Sequence, residues 1–208
     1  MRFKDRLHAG RELARLLQPY ARRPDVTVLG LPRGGVPVAA EVARTLGVPF
    51  DVFIVRKLGV PGHEELGFGA IAQGGVQVLN EPLIHDLAMP REVVERVAAR
   101  EQLELERRDT LYRGGRPSPP IQDRVVILVD DGLATGATME AAVTALRRLR
   151  PARVVVAVPV GARETCDRLS AIGDEVICAA TPDPFDAVGL WYDDFSQTTD
   201  EEVRALLA

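Results

Sequence analysis

Apolar positions along this chain come in short, unbroken, valine-rich blocks, and those blocks predict strands at Val26–Leu31, Val52–Val55, Val125–Val129, Arg153–Val158 and Glu175–Ala179. Strands without polar alternation are those covered by helices on both faces. Between the blocks the apolar spacing changes to a helical period, predicting helices over Ala9–Leu17, Val36–Leu46, Thr138–Leu149 and Ala162–Leu169. In the third of these, Met139, Ala142, Val143, Leu146 and Leu149 share one stripe, Glu140, Thr144, Arg147 and Arg148 face away, and Pro151 stops the run. The alternation predicts an α/β fold, an open and mainly parallel sheet with helices on both faces. Gln73-Gly74-Gly75 joins Ala70–Ala72 to Val76–Leu79 as a hairpin.

One segment breaks this rhythm. Pro90–Tyr112 is highly charged, with Glu92/Arg96 and Glu104/Arg108 at i,i+4 spacing, and reads as a solvated helical arm; a lid or a dimer contact is the sharper alternative. Gly114–Pro120 then forms a linker back to the core. No internal repeat or second core is visible, so residues 1–208 are expected to form one domain.

Composition narrows the function classes. The longest apolar run, Val125–Val129, falls far short of the ~20 residues of a membrane helix. The first residues lead into no apolar signal segment, so a cytoplasmic protein without a membrane partner is expected. The net charge of −4 argues against general nucleic-acid binding. Two cysteines, Cys166 and Cys178, exclude a disulfide scaffold and an ordinary zinc site. Only Lys4 and Lys57 are lysines among 26 basic residues, which draws the eye to Lys57 beside Arg56 after an apolar strand.

The chemistry concentrates in Val125–Thr138. A buried strand ends in Asp130-Asp131, and the small-residue turn Gly132–Ala137 opens directly into a helix. Amides of such a turn, with the helix N-terminus, make an anion site. Thr135 and Thr138 add hydroxyl donors, and Gly136 lets backbone approach the anion. Carboxylates cannot hold a phosphate, so Asp130 and Asp131 suit sugar hydroxyls or a magnesium ion. The segment is no Walker A loop, since Gly-Lys-Ser/Thr is missing, and a phosphatase of the aspartyl-phosphate type would want acids two apart. A bare Asp-Asp would read as a solvated strand end; the Thr-Gly-x-Thr that follows makes the pattern specific.

This segment resembles the PRPP-binding signature of type I phosphoribosyltransferases, and the resemblance extends over nearly the whole chain. It implies that Asp130 and Asp131 contact ribose hydroxyls and the metal, and that Ala134, Thr135, Gly136, Ala137 and Thr138 bind the 5′-phosphate. Leu29–Val36 resembles the family's pyrophosphate loop, which implies that Arg33, Gly34 and Gly35 face that anion; the loop commonly holds a non-proline cis peptide, and the alignment puts it between Pro32 and Arg33. Val55–Gly59 resembles the Arg-Lys pair that opens a mobile catalytic loop, giving Arg56 and Lys57 as PRPP contacts. Within that loop a plain hairpin is the alternative for Gly59–Gly69, and Glu64 or Glu65 is the candidate proton acceptor. Thr181–Phe195 resembles the hood over the nucleobase, with Phe185, Trp191 and Tyr192 as base contacts.

The resemblance implies a magnesium-dependent transfer of the 5-phosphoribosyl group of PRPP to a nitrogenous base, with Lys57 and Arg33 neutralising the pyrophosphate that leaves. Hypoxanthine-type members carry an acid where Ala134 stands, which leaves the acceptor open. Two rivals remain: a PRPP-sensing regulator that binds RNA or a protein without turnover, and an interaction module built on the charged arm.

Overall fold

A computed structural model describes residues 2–208, with only the backbone of Glu65 described. The first half of the chain runs α1 (Arg6–Leu16), β1 (Val26–Gly30), α2 (Gly35–Leu46), β2 (Phe50–Val52), β3 (Val55–Val60), β4 (His63–Ala72) and β5 (Val76–Leu79). It continues through α3 (Glu81–Asp86), α4 (Arg91–Arg113), β6 (Val125–Val129), α5 (Ala137–Arg148), β7 (Arg153–Val160), α6 (Arg163–Leu169), β8 (Glu175–Ala180) and α7 (Asp200–Leu207).

Five strands form a parallel sheet in the order β2-β1-β6-β7-β8. Alternate residues of the central strands feed two separate cores. Val26, Val28, Val125, Ile127, Val129 and Val155 pack with α1 and α2, while Leu29, Val126, Leu128, Val154, Val156 and Val158 pack with α5 and α6. Both faces are therefore covered, which is why the strands show no polar alternation. From β1 the chain builds outward to β2, then returns to place β6 on the other side, so the strand order reverses between β1 and β6. In open α/β sheets that reversal opens a crevice at the carboxyl ends of the strands.

The apolar run at Val52–Val55 is not one strand. Phe53 and Ile54, both buried, carry the chain out of the parallel sheet and into a second, antiparallel sheet of order β3-β4-β5. Gly59–Gly69 lies largely in the paired β3 and β4, with a register irregularity around Gly59, so this stretch has the form of a hairpin. The arm is also corrected. Helix α4 buries Val94, Val97, Glu101, Leu105 and Tyr112 against the second sheet and α7, and is solvated on its other faces only. Its end is anchored by Arg113, 3% exposed, which donates to the Val52 carbonyl (2.8 Å) and to Gln73 Oε1 (2.9 Å).

A further core joins residues near the start of the chain to the segment after β8. Phe3, Ala9, Val160 and Tyr192 pack with Phe185, Val188 and Trp191. Residues 3–4 pair with the segment after β8: the Phe3 amide donates to the Trp191 carbonyl (2.8 Å), and the amides of Asp193 and Asp194 donate back to Phe3 and Lys4. Two cysteines are too few for a scaffold, yet they do pair: Cys166 of α6 and Cys178 of β8 form one disulfide. No helix among the described residues is long and apolar enough to cross a membrane.

Candidate active site

The loops after β1 and β6 meet at the reversal point. After β1 the chain passes Leu31 and the Pro32–Arg33 peptide, which is cis, and enters α2 through Gly34 and Gly35. Both glycines have helical or near-helical backbone, so they are required by space and not by φ. A Cβ on Gly35 would lie 2.7 Å from the Val129 carbonyl oxygen and 2.9 Å from Asp130 Oδ1. A Cβ on Gly34 would overlap Asp131 Oδ2. The glycine pair therefore lets the loop lie directly against the acidic pair.

Asp130 accepts the Asp131 amide on Oδ1 (2.9 Å). Burial, followed by the charge of Asp131, pushes its carboxyl well above the ordinary range. Asp131 is also raised by burial, but Arg6 opposes that rise. Arg6 is the residue that sequence reasoning missed. From the first turn of α1 its Nε (2.9 Å) and Nη2 (2.8 Å) both reach Asp131 Oδ2, with the two side chains 12% and 16% exposed. The Asp131 carbonyl accepts the Tyr192 hydroxyl (2.6 Å). No spacing rule links residues 6 and 131; the only local signal is Asp5, which caps α1 by accepting the His8 amide and so fixes Arg6 at the helix start.

Beyond the acids, Gly132 packs so tightly on Val188 that a Cβ there would collide with it. Gly136 has φ +75°, the left-handed conformation that glycine adopts freely, and α5 starts at the next residue. Helix α6 braces this loop from outside: Thr165 Oγ1 donates to the Ala134 carbonyl (2.7 Å), and Arg168 donates to the Thr135 carbonyl and pairs with Glu140 (2.6 Å). With the carbonyls taken, the amides of residues 134–138 point to no acceptor among the described residues, as the first turn of a helix leaves them.

Two clefts adjoin the loop. One of about 550 Å³ is lined by Ala134, Thr135, Arg163, Glu164, Asp183 and Phe185. The other, about 570 Å³, is lined by Ala137, Glu140, Lys57, Gly67, Ala70 and Asn80. Arg56 and Lys57, being neighbours on β3, face opposite ways. Lys57 faces the cleft with Ala137, whereas Arg56 turns to α4 and donates through Nε (2.9 Å) and Nη2 (2.6 Å) to Glu101. Arg56 is thus withdrawn from the candidate anion site. Arg33 stands at the loop after β1 with Nη1 3.9 Å from Asp200.

The hood residues divide in the same way. Phe185 lines the first cleft. Tyr192 is 2% exposed, its ring against Phe3 and Phe195, so it supports Asp131 from behind and offers no face to a base. Trp191 packs against the core of Phe3 and Tyr192, and its Nε1 is buried without a hydrogen-bond partner among the described residues. Glu64 sits at the exposed hairpin tip, where its own amide and that of Gly62 hold its carboxyl below the usual range, making it a poor proton acceptor. The side chain of Glu65 lies outside the described residues. No group of three or more His, Cys, Asp or Glu that could hold a metal occurs among the described residues.

Known proteins agree with this architecture. The family model of the phosphoribosyl transferase domain matches residues 3–188. The crystal structure of TT1426 from Thermus thermophilus superposes with a TM-score of 0.91 at 48% identity, covering 100% of this chain and 98% of that one. A Mycobacterium tuberculosis H37Rv protein named "Putative phosphoribosyl transferase Rv0571c" is 47% identical over 205 residues; these are 99% of this chain but 46% of that protein, so the chain spans about half the length of its curated relative. The APRTase from Giardia lamblia, solved with 9-deazaadenine, shares the fold at 14% identity and a TM-score of 0.50, covering 84% of this chain and 80% of that one. With the reversal-point loops, the acidic pair and the matched model in agreement, the chain belongs to the phosphoribosyl transferase family.

Proposed function

We propose that this protein transfers the 5-phosphoribosyl group of PRPP to a nitrogenous base. The observation that carries the reading is the acidic pair Asp130–Asp131 at the sheet's reversal point, seated on Gly34–Gly35 and followed at once by a loop with open amides. A sugar diol beside a phosphate is the ligand that matches acceptors followed by donors in that order. The whole of residues 1–208 would act as one domain, with 90–112 as its arm and 181–199 as its hood.

In this reading the amides of residues 134–138 and the hydroxyls of Thr135 and Thr138 hold the 5′-phosphate. Asp130, and Asp131 through Oδ1, accept the ribose hydroxyls. Arg33 and Lys57 face the pyrophosphate, and Phe185 lines the cleft where the acceptor base lies. A nitrogen lone pair of the base forms the new bond to C1 as the C1–oxygen bond breaks, its electron pair leaving with pyrophosphate; the proton of the nitrogen passes to water or to the departing pyrophosphate. The chain's contribution is positioning of the two reactants and stabilisation of the leaving charge. Magnesium fits as an ion delivered with the substrate: Asp131 Oδ2 is already taken by Arg6, so Asp130 and Asp131 supply only part of a six-oxygen shell. When bound, it neutralises charge on the pyrophosphate.

The test is pyrophosphate release from PRPP and Mg²⁺ across a panel of purine and pyrimidine bases. Release that depends on one base is expected. PRPP binding by calorimetry without release under any base would favour the sensor reading, and absence of PRPP binding would overturn both.

A further inference from the structure

Arg6 lies outside the four segments that resemble the family's motifs, yet its guanidinium directly holds a carboxylate of the acidic pair. Its guanidinium makes three separate engagements. Nε and Nη2 converge on Asp131 Oδ2, Nη1 donates to the Ser196 carbonyl (2.7 Å), and Cζ lies 4.1 Å from the centroid of the Phe195 ring. The planar fork and the aromatic stack are features an arginine can satisfy together and a lysine cannot. Arg6 is itself fixed from two directions, by the Asp5 cap on α1 and by the pairing of residues 3–4 with 191–194. Its Nε is 3.3 Å from the position a Gly34 Cβ would take, so it also borders the loop after β1.

We propose that Arg6 is a positioning residue for the ribose-binding acid. By holding Oδ2 it orients the Asp131 carboxylate with Oδ1 toward the crevice, and by supplying a fixed positive charge it lets two adjacent carboxylates stand beside a substrate that is itself an anion. Because Phe195 and Ser196 hold the other side of the same guanidinium, the end of the hood and the PRPP site share one residue. The proposal rests on the assignment of Asp131 to the ribose, and it acts wholly through Asp131.

Arg6→Gln should raise the PRPP KM and the calorimetric PRPP Kd roughly ten-fold, the loss expected when a charge-assisted contact no longer orders its partner, with a smaller change in kcat. Arg6→Lys should recover part of the affinity but not all of it. The deciding measurement is a double-mutant cycle: in an Asp131→Asn background, Arg6→Gln should cost little further PRPP affinity. A purely structural Arg6 would give losses that add, and additive losses overturn the proposal. So does an Arg6→Gln protein with unchanged or tighter PRPP binding. Should Arg6→Gln fail to fold, the cycle is run with Arg6→Lys. Wild-type protein that binds no PRPP would instead overturn the functional reading, so the two failures are separate.

Discussion

Gly34 and Asp131 compete for one volume: the hydrogen that glycine carries in place of a side chain is all that fits beneath the Asp131 carboxylate. Gly34→Ala therefore cannot be absorbed by rotation of a flexible neighbour, because Asp131 is pinned by Arg6. Overpacking of this kind costs about 1–3 kcal/mol. The expected outcome is a modest fall in Tm together with a large loss of PRPP affinity, read by calorimetry. Normal affinity in a folded Gly34→Ala protein would refute the arrangement.

The two acids should separate stability from binding. Each Asp→Asn change removes a charged acceptor, worth about 1.5–3 kcal/mol, or ten- to hundred-fold in PRPP affinity. Asp130→Asn should nonetheless leave the fold intact and raise Tm at neutral pH, since burial and the Asp131 charge oppose the ionised form of Asp130. Asp131→Asn should lower Tm, because Arg6 then loses its counter-charge. Thermal unfolding of both variants at pH 7 checks the opposite signs.

The arm is held to the second sheet through Glu101 and Arg56, 9% and 31% exposed in their side chains. Removing Glu101 leaves the Arg56 guanidinium half-buried without its carboxylate, and also releases the more exposed Arg100, which Glu101 holds through Oε1 (3.0 Å). Glu101→Ala should cost about 2–4 kcal/mol in urea unfolding, somewhat below the range for a wholly buried pair because Arg56 keeps some solvent. Replacing both by apolar residues of similar size, Arg56→Met with Glu101→Leu, should recover most of that loss. A double variant no better than the single one would refute a pairwise role.

Glu104 provides a pH test on the exposed side of α4. Hydrogen bonds from Arg107 and then Arg108 lower its carboxyl from 4.5 to about 2. A depressed folded-state value stabilises the protein above the unfolded value and ceases to do so as pH falls through the folded one. Glu104→Gln should cost about 0.5–1 kcal/mol at pH 7, and the gap from wild type should close between pH 4.5 and 2. A gap that stays constant across that range would contradict the pairing.

The parallel sheet and its helices were legible because strands buried on both faces are continuous apolar runs, and the acids, glycines and threonines of the β6–α5 turn carry their chemistry in their order. Three features were not legible, each for a physical reason. The run at Val52–Val55 stays apolar while it changes sheets, so pattern alone cannot mark Phe53–Ile54 as the crossing. The buried stripe of α4 is interrupted at Glu101, whose charge is offset by Arg56 from a strand 45 residues earlier, and a stripe with a carboxylate in it reads as solvated. Arg6 and Asp131 are 125 residues apart, and only the packing of α1 beside the hood brings them together.

Parity decides which cation serves which purpose on β3. Successive strand residues point to opposite faces, so the count of residues from the crossing at Phe53–Ile54 sets Lys57 toward the cleft and Arg56 toward α4. A shift of one position would exchange them, pressing a compact ammonium onto Glu101 and turning a forked guanidinium toward the loop at Ala137. The short, wholly buried joint between the two sheets thus acts as a spacer whose length is set in whole residues, and tolerance to insertion or deletion should be lowest there, in a segment that lines neither cleft.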